Sequence, residues 1–293
     1  MINILILFMG VIFASTSSAL VNIANAPSMI MVMYRLIIAC LILLPMFMIK
    51  NRHELKNIQK ESIKIVILAG ISFALHLATY FEALKLTAIA DVVVLVSSEV
   101  IFVALIELIF FKQKISPMGW VFLILAIIGG YIVVQGGDKT IGSNPIMGSL
   151  FGVAAALFSA LYTIFGKQAR KSVSTSLYTL AVYMVSIVVM AVLSLLKGDS
   201  LVGYDSINWV SALGLAIFPT LLGHNLFSYS LKHIKASMVS AAKLTLPVFA
   251  TIIAFFVFGQ IPTIRTILGS VLMIGALAAY IFIYNKEQSK QEQ

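Results

Sequence analysis

The apolar run VVVLVSSEVIFVALIELIFFKQK, residues 92–114, carries two carboxylates, Glu99 and Glu107. Arg35, His76, His224 and Lys243 sit in comparable runs elsewhere in the chain. Inside hydrocarbon an ionisable side chain costs about 2.5–3.5 kcal/mol by insertion scales, so each needs a partner or a task. Carboxylate, imidazole, guanidinium and ammonium are groups that recognise charge and exchange protons. Nothing arranges them for covalent chemistry, because no H-E-x-x-H, G-x-x-x-x-G-K-[ST] or G-x-S-x-G pattern occurs. The single cysteine, Cys40, excludes an internal disulfide and any multi-cysteine metal site. No catalytic residue, cofactor or metal is therefore expected, and the chain does not read as an enzyme.

The elements that must position these groups are membrane-spanning helices. Hydrophobic residues make up 61% of the 293 and charged residues 11%, with a mean hydropathy of +1.06; a soluble domain is about a quarter charged. Ten apolar segments follow one another at 2–20, 29–49, 63–84, 90–111, 118–135, 147–166, 176–196, 207–231, 236–258 and 263–284. Each is long enough to cross ~30 Å of hydrocarbon at 1.5 Å per residue. They are continuously apolar rather than alternating, which favours helices over a barrel. The expected fold is all-α and polytopic.

Fourteen of the 20 lysines and arginines fall in or beside the loops after the even-numbered spans and in the C-terminal tail. The positive-inside rule then places both termini in the cytoplasm. The formal charge of +9 is thereby explained by topology, without a nucleic-acid partner. The opening MINILI has no Lys or Arg, so a cleaved signal peptide is not expected.

Sliding the chain by 147 positions sets residues 82–113 on 229–260, pairing Leu84 with Leu231, Lys85 with Lys232, Phe102 with Phe249 and Gln113 with Gln260. A shift of 145 sets GVIFASTSSA (10–19) on AALFSALYTI (155–164). Two copies, 1–137 and 145–286, are thus joined near GGDKTIGSNP and followed by a short cytoplasmic tail, 287–293. Five spans per copy is an odd number, so the copies insert upside down relative to each other. Inverted repeats place a substrate site near the midplane between the halves, and rocking exchanges its exposure.

With these features the chain resembles the EamA-type members of the drug/metabolite transporter superfamily. PSMIMVMYRLIIACLILLP (27–45) resembles the family's opening pattern, with Arg35 at its basic position. GSLFGVAAALFSALYTIFGKQARK (148–171) and LPVFATIIAFFVFGQ (246–260) resemble its second copy and its ninth span. The chain departs from the pattern in the fourth span, where Val100 stands opposite Pro247 in place of the usual proline. The family's Gly-Glu reads Lys112-Gln113 and Gly259-Gln260 here, and the usual Trp of the first span is absent. The resemblance implies ten helices, cytoplasmic termini and movement of small metabolites, without naming a substrate.

Depth sorts the polar residues. Glu99 lies ~18 Å from the cytoplasmic end of its span, near the midplane, whereas Glu107 lies ~6 Å from it, near Lys112 and Lys114. Arg35 and His76 come out at ~20 Å, so Glu99, His76 and Arg35 can share one layer as a coupling or charge-pairing group. Either an ion pair from Glu99 to Arg35 or a role toward substrate fits this depth. Lys243 and His224, with Asn225 beside it, come out at ~10 Å in the second half. Ser15, Ser17, Tyr80 and Tyr162 lie on spans that line the cavity in the resembling family. Pro219 and Pro247 interrupt spans eight and nine as candidate hinges. Glu82 and Asp91 fall at outer helix ends, where solvation suffices.

These features read as a secondary transporter of small polar or zwitterionic metabolites, amino acids or related compounds, in a bacterial cytoplasmic membrane. Export is favoured by resemblance, a proton is the candidate coupling partner, and monomer and homodimer both fit. Import of a charged cofactor or nucleotide derivative is the alternative within transport. A non-transporting receptor or scaffold is the alternative of another class.

Overall fold

In a chain with so little polar surface the backbone N–H and C=O groups must satisfy one another, and a helix does this within each segment. The computed structural model describes residues 2–50, 52–57, 60–112, 115–136, 142–170, 172–224, 226–227 and 242–291. The described residues form helices and no strand. We number the spans α1 (Ile2–Ile23), α2 (Ser28–Lys50), α3 (Lys60–Leu86), α4 (Ile89–Val96 and Glu99–Phe111) and α5 (Pro117–Gly136). The second half has α6 (Pro145–Ala169), α7 (Thr175–Lys197), α8 (Ser206–Leu215 and the π-helical Ala216–His224), α9 (Leu246–Phe258) and α10 (Ile264–Gln291). Among the described residues nine of these spans are long and apolar enough to cross a membrane, and α9 is the shorter one. The part of the ninth span expected at 236–241 lies outside the described residues. The last helix runs on through Gln291, into the stretch expected as a tail.

Packing relates the two halves by a two-fold exchange. The first helix packs on α8 and α9, and α6 packs on α3 and α4; α2 meets α7, α4 meets α9 and α5 meets α10. Swapping α1–α5 for α6–α10 maps this set of neighbours onto itself. Helices α5 and α10 touch backbone to backbone: a Cβ placed on Gly129 would stand 2.6 Å from the Met273 nitrogen.

The fourth span breaks although it lacks a proline. At Ser97 and Ser98 the N–H groups turn to the carbonyls of Val94 (2.9 Å) and Leu95 (3.0 Å), three residues back. The ninth span breaks at the equivalent place, where the Thr245 N–H turns to Ala242 O at 3.0 Å, and Pro247 follows in the first turn of α9. Both spans also end alike, on a left-handed residue: Lys112 (φ 53) after α4 and Gly259 (φ 66) after α9.

The end of the bundle with few basic residues is tied shut between the halves. Asn208, fully buried, accepts the N–H groups of Asn25 (3.0 Å) and Ala26 (2.8 Å) and donates to Asn25 Oδ1 at 2.7 Å. Tyr34 stacks on Trp209 with ring centroids 4.1 Å apart and donates its hydroxyl to Leu201 O. Lys197 pairs with Glu82 across the halves at 3.5 Å, while within the first half the Lys85 ammonium donates to Ala26 O. Asp91 corrects its expectation: it is not solvated but 2% exposed, packed under α10 and accepting from Thr266 Oγ1 at 2.9 Å. Position at a helix end gave the wrong surroundings because α10 covers that end.

Candidate functional site

Between the halves lies a cavity of about 500 Å³, a volume suited to a small metabolite. Its walls come from α1, α2, α3, α4, α6, α8, α9 and α10, and thus from both repeats. The lining runs from mid-helix positions such as Arg35, His76 and Glu99 to Glu107, Lys167 and Tyr284 at the lysine-rich end. The tied end contributes none of its latch residues to it.

Glu99 owes its position to the break in α4. It is the first residue of the second helical segment, where the helix dipole favours a negative charge. Both carboxylate oxygens accept hydroxyl protons from α6: Oε2 from Ser159 at 2.8 Å and Oε1 from Thr163 at 2.7 Å. One turn further along α6, Lys167 reaches Glu107 Oε1 at 3.2 Å, while Tyr284 donates to Glu107 Oε2 at 3.3 Å. Ser159, Thr163 and Lys167 stand at i, i+4 and i+8, one polar stripe on one face of α6. Glu107 thus takes its basic partner from α6 rather than from the end of its own span, and its side chain is only 12% exposed.

Arg35 is 2% exposed, donates Nε to Thr220 Oγ1, and lies 6.0 Å from the Phe81 ring centroid. Thr220 is held by the wide π-helical turn, its hydroxyl donating to Leu215 O five residues back at 2.7 Å. Among the described residues no ion pair joins Arg35 to Glu99. His76 Nδ1 lies 2.8 Å from Ala155 O. A carbonyl only accepts, so Nδ1 carries the proton and Nε2 is left for exchange. The imidazole stacks on Tyr80, centroids 6.1 Å apart, and lies within electrostatic reach of Glu99, Arg35 and Lys243 together. Lys243, exposed to the cavity, sits 5.4 Å from the Phe227 ring centroid.

Of the remaining candidates, Ser15, Ser17, Tyr80 and Pro219 line the cavity. The Ser15 hydroxyl donates to Val11 O at 2.8 Å and also stands 3.4 Å from Leu246 O at the break of α9. Tyr162 is not among the described lining residues; it packs between Phe73 and Tyr178. Pro247 is buried behind Leu246 and Ala250, which do line the cavity. His224 ends the described part of α8, and Asn225 lies outside the described residues. Sequence reasoning passed over Ser159, Thr163, Lys167 and Thr220. Only the first three left a readable signal, the four-residue spacing of polar side chains in an apolar helix.

Among the described residues the chain is a helical bundle of two exchangeable halves with a charged cavity between them, an architecture that suits a multi-pass membrane transporter. The sequence pattern of the EamA-like transporter family matches residues 1–135 and again 146–282, so the chain belongs to that family. An uncharacterized transporter of Archaeoglobus fulgidus is 25% identical over 227 residues, 77% of this chain and 79% of its own. The pseudopaline exporter CntI of Pseudomonas aeruginosa is 22% identical over 76% of each chain. The uncharacterized transporter YdfC of Bacillus subtilis is 23% identical over 87% of this chain and 82% of its own. A chain of solved crystal structure superposes with a TM-score of 0.66 over 96% of this chain and 97% of its own, at 14% identity, and speaks for the fold. Family membership implies a small-molecule substrate and a lipid bilayer.

Proposed function

We propose that this protein is a secondary carrier of small polar or zwitterionic metabolites, amino acids or related compounds, working by alternating access. One observation carries the reading: charges from both repeats, Glu99 and Arg35 from one and Lys243 from the other, face a single cavity of about 500 Å³. A site shared by inverted halves changes exposure when they rock. The cavity reaches the lysine-rich end, which the positive-inside rule makes cytoplasmic, so this geometry is the inward-open member of the cycle. On this reading the repeats are 1–137 and 145–286, and the membrane is the cytoplasmic one. Export is the favoured direction, by analogy with the pseudopaline exporter among the relatives.

Proton coupling is assigned to Glu99 and His76, a carboxylate and an imidazole that both line the cavity. The test is uptake of a radiolabelled amino-acid mixture into proteoliposomes with an imposed pH gradient, comparing the parent protein with Glu99→Gln. The expected result is gradient-driven accumulation that the variant loses. Equal accumulation in both would remove Glu99 from the mechanism, and none above empty liposomes would remove amino acids as substrates. Import of a charged cofactor or nucleotide derivative is the second reading, favoured by the two cavity cations that no carboxylate pairs with among the described residues. It predicts uptake that depends on Arg35 and Lys243 and is indifferent to Glu99.

A further inference from the structure

The charges around the cavity do not cancel. Glu107 is matched by Lys167 at 3.2 Å. Glu99 is the one remaining acid of the described lining, and both its oxygens accept hydroxyl protons. Against it stand two cations, Arg35 and Lys243, with no carboxylate in ion-pair distance of either among the described residues. The Arg35 Nη1 atom is buried with no hydrogen-bond partner, while Nε is spent on Thr220. A guanidinium does not shed its charge, so it stays an uncompensated cation in a wall of low dielectric. Lys243 presents its ammonium from the opposite repeat over an aromatic ring, which helps hold the charge but does not neutralise it. Arg35, His76, Glu99 and Lys243 all line the one cavity.

Resting on the carrier reading above, we propose that the transported compound carries two carboxylates and one amine, as an acidic amino acid does. The carboxylates answer Arg35 and Lys243, and the amine answers Glu99. This is the smallest charge set that leaves no unpaired charge of the described lining unmatched. A neutral amino acid leaves one cation unpaired, and a dicarboxylate without an amine leaves Glu99 facing excess negative charge. An uncompensated charge in such a wall is what binding must remove, so selectivity follows from the mismatch.

The experiment measures binding to the purified full chain in lipid nanodiscs by isothermal calorimetry, using matched acid and amide pairs. These are aspartate and asparagine, glutamate and glutamine, 2-aminoadipate and its 6-amide, and γ-glutamylglycine and its terminal amide. At least one acid is expected to bind tenfold or more tightly than its amide. Lys243→Gln is expected to reduce that ratio at least threefold. Lys243 is exposed to the cavity, so its replacement leaves the packing intact, whereas Arg35→Gln is read beside its melting temperature. Less than a tenfold preference in every pair, or a ratio unchanged by Lys243→Gln, overturns the inference. Proteoliposome counterflow with the same compounds separates the two levels. If acids and amides move equally, the carrier stands and the charge match falls; if acids bind selectively yet none moves, the carrier reading falls and the charge match stands.

Discussion

Ser98, between the two segments of α4, and Thr245, just before α9, stand 147 positions apart and make the same hydrogen bond. Each donates its hydroxyl to the carbonyl three residues earlier, Leu95 O and Ala242 O, at 2.6 Å in both cases. A hydroxyl that bonds the preceding turn competes with the helical ladder and bends the chain. The same bond thus marks equivalent places in the two halves, and in α4 the helix is interrupted there without a proline.

This makes a proline at the matching place in α4 harmless. Val100, opposite Pro247, is the second residue of its segment, and its N–H reaches Ser97 O only at a weak 3.4 Å. Val100→Pro is expected to change stability by less than about 1 kcal/mol, whereas Val103→Pro, inside the same segment, costs about 3 kcal/mol or more. Thermal unfolding of the two purified variants decides it; equal losses would mean that α4 behaves as one continuous helix.

The α6 stripe should be graded in importance along its length. Thr163→Val keeps the shape and removes one of two donors to the half-buried Glu99 carboxylate, a charge-assisted bond worth about 1.5 kcal/mol. About a tenfold loss of counterflow rate is expected, with the same from Ser159→Ala and less than additive loss in the double variant. Lys167→Ala should matter less, because the Lys167 side chain is 67% exposed and such a pair contributes at most about 1 kcal/mol. A larger effect at Lys167 than at Thr163 would reverse this assignment of roles.

How much of this was legible follows from what a helix axis encodes. A rise of 1.5 Å per residue gives depth, and depth alone put Glu99, Arg35 and His76 at one level, where all three line the cavity. Azimuth is not encoded in that way. The facing partner of Glu99 comes from α6, and only tertiary packing sets which helix faces which, so the hydroxyl pair was missed while an ion pair to Arg35 stayed open. Lys243 was placed in a separate layer with His224, yet it opens onto the same cavity as Glu99. Asp91 failed for the complementary reason: its place near a helix end is local, but its burial is made by α10. The break in α4 was illegible because two serines in an apolar run carry no unique backbone signal.

The matched helix ends yield a stability exchange. Lys112 adopts φ 53 where its counterpart Gly259 adopts φ 66. A side chain in the left-handed region costs about 1–2 kcal/mol that glycine avoids, offset in part by glycine's greater freedom when unfolded. Lys112→Gly is expected to stabilise by about 0.5–1 kcal/mol and Gly259→Ala to destabilise by a similar amount. Chemical unfolding in one detergent measures both, and a destabilised Lys112→Gly would mean that its side chain makes a contact worth more than the backbone strain.

Asn208 offers a test of the closed end. Its side chain satisfies two backbone N–H groups and two oxygens while fully buried, and it joins the start of α8 to the turn between α1 and α2. In Asn208→Ala the N–H groups of Asn25 and Ala26 lose their acceptor, at about 1–3 kcal/mol for an unsatisfied buried donor. Opening that end exposes them to water and removes the penalty, so the variant favours the conformation opened there by roughly 5- to 150-fold over the parent. Trp209 reports on it directly, because it stacks on Tyr34 beside the latch at 14°. The chain has two tryptophans, so Trp120→Phe leaves Trp209 as the sole tryptophan, excited selectively beyond the tyrosine band. Asn208→Ala in that background should raise acrylamide quenching of Trp209 and lower the melting temperature together. A lower melting temperature with quenching unchanged would make Asn208 a structural bond and nothing more, because loss of packing alone does not open the far end to solvent.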